Sequence, residues 1–197
     1  MKTDSSAAKT NAPDRLNGRM LIAMPGMGDT RFDRAVVFMC EHTDEGAMGL
    51  IINKPNSDLD MPTLLSQLDI DPKRDLSQRV VYFGGPVELG RGFVLHDATY
   101  TSGAASVPIC EGIRMTATLD ILEDIARGEG PKDWLMLLGY SGWGPGQLET
   151  ELAQNAWLVC DGAARLVFDL PDASKWEAAL ETLGIAALAL SSAGGRA

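Results

Sequence analysis

The chain is poor in the residues that mark disulfide-bonded, zinc-binding and many catalytic proteins. It has 3 cysteines and 2 histidines among 197 residues. Cys40, Cys110 and Cys160 are odd in number, lie far apart and form no Cys-x-x-Cys pair, so neither a disulfide framework nor a zinc knuckle is indicated. This usage fits a reducing compartment, and we expect a cytoplasmic protein with no metal and no other cofactor.

Long apolar runs and an excess of basic residues are also missing. Apolar stretches such as residues 36–40 and 134–138 fall far short of the roughly 20 residues that a membrane-spanning helix needs. The formal net charge of -10 repels polyphosphate, because nonspecific nucleic-acid affinity comes from Lys and Arg that displace counterions. We therefore expect a soluble protein with no membrane partner, and nonspecific nucleic-acid binding is disfavoured.

The chain does have enough apolar sequence for one folded domain. Hydrophobic residues make up 45% of it, and its length suits one core better than two. Residues 1–14 are polar and small, which predicts a disordered N-terminal tail. We assign residues 15–190 to a single domain and residues 191–197 to a flexible tail.

Apolar patterns bounded by Gly and Pro predict a mixture of hairpins and helices. Predicted strands cover residues 19–23, 35–40, 47–53, 80–83, 92–96, 106–110, 134–138, 157–160 and 166–169. Predicted helices cover residues 62–68, 119–127 and 146–154, followed by a last helix from residue 172. Thr118 and Asp172 are the expected N-caps, Leu119 and Leu183 are expected on inward helix faces, and Pro55 is expected to end the third strand. The pattern favours an α+β (or α/β) fold, a single compact domain in which helices pack on a mixed sheet that contains hairpins.

The glycine-rich run at residues 139–149 is the most distinctive stretch. Its glycines enclose Tyr140 and Trp143 ahead of a predicted helix, which predicts a tight strand-to-helix turn that something can approach closely. Backbone amides, a helix N-terminus and an exposed aromatic ring can together hold an anion or a planar ligand. A purely structural role fits equally well, with Trp143 plugging the core beside Tyr140 and Gln147 capping the backbone of the turn.

We predict a binding site where this run meets two other turns, at residues 25–29 and 84–86. The proposed ligand-binding residues are Pro25, Asp29, Gly84, Gly85, Gly142, Trp143, Gly144 and Gln147. Residues 25–29 lack the glycine spacing of a dinucleotide site, and residues 85–92 lack the lysine and the Ser or Thr of a P-loop. No catalytic residue is assigned.

An enzymatic alternative depends on four side chains. Asp29, Glu41, His42 and His96 are the candidates for a hydrolase that uses a carboxylate or a metal ion. Cys40 and His42 suggest a nucleophile and its base, but in an extended strand they lie about 7 Å apart, too far for the direct hydrogen bond that such a pair requires. A metal site would need the two histidines to converge in space.

Several specific motifs are spread along the chain. In order they are Leu21-Ile22-Ala23-Met24-Pro25 with Asp29 and Phe32, Cys40-Glu41-His42, Gly46-Ala47-Met48-Gly49-Leu50, Asn53-Lys54-Pro55, Phe83-Gly84-Gly85-Pro86-Val87, Ala126-Arg127-Gly128-Glu129-Gly130-Pro131, the run at residues 139–149, and Asn155-Ala156-Trp157. On these motifs the chain resembles the YqgE/AlgH family of bacterial proteins, from about residue 16 to residue 170.

The resemblance implies a compact single-domain fold of α and β elements, and a cytosolic bacterial protein whose biochemical activity is not established. It supplies no catalytic residues. The second name of the family ties some members to regulation of alginate production, which implies a transcriptional regulator as an alternative. The charge and the lack of a basic recognition helix disfavour direct DNA reading. We therefore expect a non-enzymatic regulatory or binding protein that acts through an unknown protein or small-molecule partner.

Overall fold

The computed structural model of the protein describes residues 15–101 and 105–191. The predicted N-terminal tail, residues 1–14, lies outside the described residues. The same holds for residues 192–197 of the predicted C-terminal tail, whereas residue 191 ends a short helix. Among the described residues, no helix has the length and apolarity needed to cross a membrane.

Strands predominate over helices in the described part of the chain. The strands are β1 (Arg19–Ala23), β2 (Val36–Thr43), β3 (Gly46–Ile51), β4 (Pro55–Asp60), β5 (Val80–Phe83), β6 (Val87–Asp97), β7 (Ser106–Cys110), β8 (Ile113–Thr116), β9 (Trp134–Trp143) and β10 (Trp157–Asp161). The helices are α1 (Met61–Gln67), α2 (Asp120–Arg127), α3 (Gln147–Ala153), α4 (Asp172–Glu181) and α5 (Ala187–Ser191).

The ten strands form one curled sheet in the order β10-β1-β2-β3-β9-β6-β8-β7, and β4 joins it through β5, which pairs with β9. Every described strand pair is antiparallel except β5 and β9, which run parallel. The result is a single compact α+β domain in which a mainly antiparallel sheet dominates. The predicted mixture of hairpins and helices on a mixed sheet agrees with this architecture at that level.

Helices cover both faces of the sheet, which explains why its central strands are apolar on both sides. Along β1, Met20 packs into a cluster with Trp176 of α4, whereas the next residue, Leu21, packs into a cluster with Leu148 of α3. Successive strand residues point to opposite faces, so one strand contributes to two cores. Helices α1 and α2 cover a third cluster around Val94 of β6.

Gly84 connects three strands at the point where β9 changes partner. β9 pairs with β5 as far as Leu138 and with β3 from Ser141 onward. The Gly84 N–H donates to the Leu138 carbonyl at 2.8 Å, and the Gly84 carbonyl accepts from the Ile51 N–H at 2.8 Å. A Cβ on Gly84 would lie 2.3 Å from the carbonyl oxygen of Gly139, so any side chain would force these strands apart.

Gly85 makes an equally close approach to β9. Its φ is +154°, and a Cβ there would lie 2.1 Å from the carbonyl carbon of Tyr140. Together the two glycines allow the chain to cross directly against the backbone of β9. Pro86 emerges from this crossing at the surface beside the end of β9.

The first five residues of the glycine-rich run, 139–143, are strand, which corrects the predicted turn. β9 continues to Trp143, and Ala47 to Gly49 of β3 pair with Ser141 to Trp143. The predicted turn was wrong for residues 139–143 because ladder hydrogen bonds hold glycine in a strand when a neighbouring strand supplies them. The turn is confined to residues 144–146, and Gly146, with φ +73°, precedes α3.

The strand predicted at residues 157–160 forms as β10, but it does not lie beside β9. β10 follows α3 but lies at the far edge of the sheet, where it pairs antiparallel with β1. The predicted strand at residues 166–169 is instead a wide helical turn, Arg165–Asp169. Leu166 and Val167 of this turn are both buried in the core, so the apolar run alone did not identify the conformation.

Four smaller expectations were wrong. Thr118 does not cap α2, since its hydroxyl bonds the Asp120 carboxylate and no side chain caps that helix. Asp172 is the first residue of α4 rather than its cap. Leu119 and Leu183, expected to face inward, are 54% and 39% exposed. The expectation that the third strand ends before Pro55 was confirmed, since β3 ends at Ile51 and Pro55 begins β4.

We predict that Gly84→Ala lowers the free energy of unfolding by about 2 kcal/mol, the usual scale for overpacking a close contact. The physical reason is the clash of the new Cβ with the backbone of β9. Chemical denaturation followed by circular dichroism measures this change. Gly90→Ala is the matched control, because a Cβ at Gly90 meets nothing within 4 Å and should change stability little. Equal effects of the two substitutions would contradict the role assigned to Gly84.

Candidate functional site

A cleft of about 390 Å³ opens where four parts of the fold meet. One wall comes from the β1–β2 connection, with Asp29 and Phe32, and another from the end of β9, with Trp143. α3 contributes Glu151, and Trp157 at the start of β10 closes the base. The volume falls within the range of small-molecule sites, which is roughly 300–1,000 Å³.

The Glu151 carboxylate organises the floor of this cleft. Its Oε2 accepts the indole N–H of Trp143 at 2.9 Å and that of Trp157 at 2.8 Å, and its Oε1 accepts from Gln147 Nε2 at 2.9 Å. Gln147 Oε1 in turn accepts the backbone N–H of Gly144 at 3.1 Å. One carboxylate therefore fixes two aromatic rings, the start of α3 and the turn before it.

The aromatic side chains form a connected wall. The Trp143 and Trp157 rings meet edge to face with centroids 5.9 Å apart, and Phe32 meets Trp157 in the same manner at 5.6 Å. Edge-to-face contacts of this kind favour one relative orientation of the rings. The wall is thus preorganised, although both indoles are largely buried.

Asp29 and Arg31 form the polar rim. Asp29 caps the 3-10 turn Thr30–Phe32 by accepting the Arg31 N–H at 3.0 Å, and it also pairs with the Arg31 guanidinium at 2.6 Å. The hydrogen bonds from the Arg31 side chain and then its backbone hold the pKa of Asp29 below its ordinary value. Asp29 is therefore ionised and already neutralised by its neighbour.

The charge that remains in the cleft is negative. Arg31 is matched by Asp29, whereas Glu151 forms no ion pair within the described part of the chain and is held by neutral donors. A cation or a hydrogen-bond donor is therefore better suited to this cleft than an anion. α3 is also only seven residues long, so its N-terminal dipole adds little for an anion.

The structure brings half of the predicted site together. Asp29, Gly142, Trp143 and Gln147 line the cleft. The others lie around it: Pro25 is in the exposed turn after β1, Gly84 and Gly85 are buried against β9, and Gly144 contributes its backbone N–H to Gln147.

Sequence reasoning missed Arg31, Glu151 and Trp157. The signal for Glu151 was present, because it lies four residues after Gln147 and so shares one face of the helix. Trp157 was recognised only as part of a motif, since nothing in the sequence shows that β10 returns beside Trp143.

The two histidines do not converge. They belong to β2 and β6, which are separated in the sheet by β3 and β9, a distance of roughly 14 Å at the usual strand spacing. His42 accepts the Leu16 N–H on Nδ1 at 3.2 Å, so its Nε2 carries the proton and donates to Glu149 at 2.8 Å. These two hydrogen bonds hold the residues before β1 and the first turn of α3 against β2.

His96 is fully buried, and its hydrogen bonds have a structural role. Its Nδ1 donates to the Asp97 carbonyl at 2.8 Å, which leaves Nε2 to accept from the Thr116 hydroxyl at 3.0 Å, and Ser106 Oγ lies 3.3 Å from the same nitrogen. Burial lowers the pKa of His96 below its ordinary value, so the ring is neutral at physiological pH.

The remaining hydrolase candidates are also scattered. Cys40 is buried, its thiol faces the Phe38 carbonyl, and burial raises its pKa, which makes it a poor nucleophile. Glu41 is exposed on β2 and Asp29 is paired with Arg31. Across the described residues, no group of three or more His, Cys, Asp or Glu is arranged to hold a metal ion.

Comparisons with known proteins give a consistent result. A family model described as AlgH-like matches residues 20–188. A UPF0301 protein of Ruegeria pomeroyi is 55% identical over 183 residues, covering 92% of this chain and 99% of the relative, and a UPF0301 protein of Jannaschia sp. is 52% identical over 183 residues, covering 92% and 95%.

Solved structures agree with the sequence comparisons. The solution structure of the AlgH protein from Pseudomonas aeruginosa matches with a TM-score of 0.75 and 39% identity, covering 100% of this chain and 98% of that one. The crystal structure of a Corynebacterium diphtheriae protein matches with a TM-score of 0.68 over 87% of each chain, and at 20% identity it shows the shared fold alone.

We predict that Glu151→Ala lowers the free energy of unfolding by about 1–2 kcal/mol, because the indole N–H groups of Trp143 and Trp157 lose their acceptor. Denaturant unfolding measures the loss, and a shift in tryptophan emission should accompany it. Glu177→Ala, at an exposed position of α4, is the control and should leave both unchanged. A stability of Glu151→Ala equal to that of the control would contradict the organising role of this carboxylate.

We predict that the free energy of unfolding falls in mild acid because the buried His96 ring resists protonation. The unfolded chain binds a proton on this residue below about pH 6.5, whereas the folded protein, with its lowered pKa, does not. The stability advantage of the wild type over His96→Gln should therefore shrink as pH falls from 7.5 to about 5.5, with a slope of at most about 1.4 kcal/mol per pH unit. Denaturant unfolding at several pH values measures it. A difference that is constant with pH would contradict this assignment.

Proposed function

We infer that this chain, which belongs to the AlgH-like family, is a non-enzymatic binding protein with a regulatory role whose site is the cleft beside Trp143 and Trp157. The observation that carries the proposal is the Glu151 carboxylate, which fixes both indoles and remains without a cation among the described residues. A site with its side chains already ordered costs little reorganisation when a ligand binds.

The chemistry of the cleft favours a small amphipathic ligand with a cationic or donor-rich group. Phe32 and Trp157 offer an apolar wall, and a planar or aliphatic body can pack against it. A cationic group would face Glu151, which has no basic ion-pair partner among the described residues. The volume of about 390 Å³ suits a molecule smaller than a dinucleotide.

A regulatory role for such a protein would act through its ligand or a protein partner. The net charge of -10 disfavours a direct DNA reader, because phosphate contacts supply most of the affinity for DNA. Buried Cys40 and Cys160 with free thiols fit a reducing compartment, so a cytoplasmic location is part of the proposal. A hydrolase is disfavoured because Asp29, His42 and His96 have separate structural partners.

We predict that a panel of small amines, amino-acid derivatives and nucleosides contains a compound that raises the melting temperature of the wild-type protein. A ligand that binds only the native state stabilises it by mass action. The same compound should change tryptophan emission, since two of the four tryptophans line the cleft. Binding should weaken at least tenfold in Trp143→Phe, which removes one indole from the wall.

Trp134→Phe is the matched control, because Trp134 is a buried tryptophan in the cluster under α1 and α2, away from the cleft. It should keep the affinity of the wild type. A compound that binds Trp143→Phe as tightly as the control would place its site elsewhere. A panel without any selective hit among cationic compounds would contradict the ligand class proposed here.

A further inference from the structure

A second cleft, of about 250 Å³, lies between the end of the β1–β2 connection, the β3–β4 connection and the start of α4. Arg34, Asn53, Lys54, Asp172 and Trp176 line it. It shares no lining residue with the cleft beside Trp143 and Trp157. We propose that this second cleft binds the phosphate group of a small phosphate monoester.

The charged side chains of this cleft that have no ion-pair partner among the described residues are positive, whereas the whole protein has a net negative charge. Arg34 and Lys54 are both cationic, and neither forms an ion pair within the described part of the chain. Asp172 is matched by Lys175, whose Nζ lies 3.0 Å from its carboxylate. Two positive charges without an ion-pair partner among the described residues therefore line one cleft in a chain of net charge -10. Such a pair suits a dianion.

Hydrogen bonds hold the Lys54 ammonium group and the backbone of Arg34 in place. Asn53 accepts the Val36 N–H at 2.9 Å on its Oδ1 and donates to the Arg34 carbonyl at 2.9 Å from its Nδ2. Lys54 Nζ donates to the Asp33 carbonyl, which lies beside Arg34. The side chains of Asn53 and Lys54 thus lock the backbone that carries the guanidinium, so the site is ordered before any ligand arrives.

Arg34 has a backbone conformation that an ordinary loop would avoid. Its φ is +50°, in the left-handed region that non-glycine residues seldom adopt. The conformation places the guanidinium over the Trp176 ring, with its carbon 5.1 Å from the ring centroid. Trp176 is itself fixed by an N–H bond to the Ala23 carbonyl at 2.9 Å. A guanidinium above an aromatic ring can still donate hydrogen bonds from its N–H groups to another acceptor.

A phosphate matches these donors better than a neutral group. A guanidinium edge can give two parallel hydrogen bonds to phosphate oxygens, and an ammonium supplies a point charge beside them. The volume of the cleft leaves room for a small substituent and not for a long chain. A phosphate monoester of a small metabolite therefore fits both the charge and the size.

The test uses the full-length protein and inorganic phosphate as the probe. Phosphorus NMR titrations are run at constant ionic strength, with sodium chloride replacing phosphate, on the wild type, Arg34→Asn, Lys54→Gln and Arg91→Asn. Asn tolerates a positive φ, so Arg34→Asn removes the charge while preserving the backbone. Arg91 is the matched control, because its guanidinium stacks over Phe93 at the same 5.1 Å in a different part of the fold.

We expect phosphate to bind the wild type and Arg91→Asn equally, and to bind Arg34→Asn and Lys54→Gln roughly tenfold more weakly or worse, the usual effect of losing one charged hydrogen bond. Circular dichroism melts confirm that each variant is folded. Equal binding by the wild type and Arg34→Asn would overturn the proposal. So would a phosphate signal whose chemical shift and line width are the same with and without the wild-type protein.

Discussion

The contact between the Gly84-Gly85 backbone and β9 is the constraint on which the rest of the structure depends. β9 is the central strand, and it must exchange a parallel partner for an antiparallel one within a few residues. The exchange works because Gly84 bonds to Leu138 on one side and to Ile51 on the other. A side chain at this crossing would separate the strands, since a Cβ would approach the neighbouring backbone to 2.3 Å.

The position of the candidate site follows from that crossing. Because β9 passes Gly84 and pairs with β3, it extends to Trp143. The indole of Trp143 therefore lies beside the start of α3. Glu151 accepts the indole N–H of Trp143 and that of Trp157, which begins β10. β10 is an edge strand of the sheet, whereas β9 is central. A single carboxylate thereby joins the centre of the sheet to its edge strand, and the cleft forms between them.

The connection between β1 and β2 separates two clefts of opposite charge. Asp29, Arg31 and Phe32 face the cleft beside Trp143, where Glu151 is unmatched by a cation. Arg34, two residues after Phe32, faces the other cleft, where its charge adds to that of Lys54. Local arrangement, and not the overall charge of -10, therefore decides what each surface can attract.

The sequence by itself determined the family and most element positions, because apolar periodicity, turn residues and contiguous motifs are local properties that a linear reading captures. It predicted helices on a mixed sheet but left α+β and α/β open. It also predicted Asp29, Trp143 and Gln147 as site residues, and these three line one cleft. Only the tertiary structure decided that the run at residues 139–143 is strand, that β10 returns to β1, and that Glu151 links two tryptophans. The physical reason is that strand pairing and shared hydrogen-bond acceptors connect residues far apart in the chain. Whether a glycine is a hinge or a close contact depends on which backbone comes to lie against it.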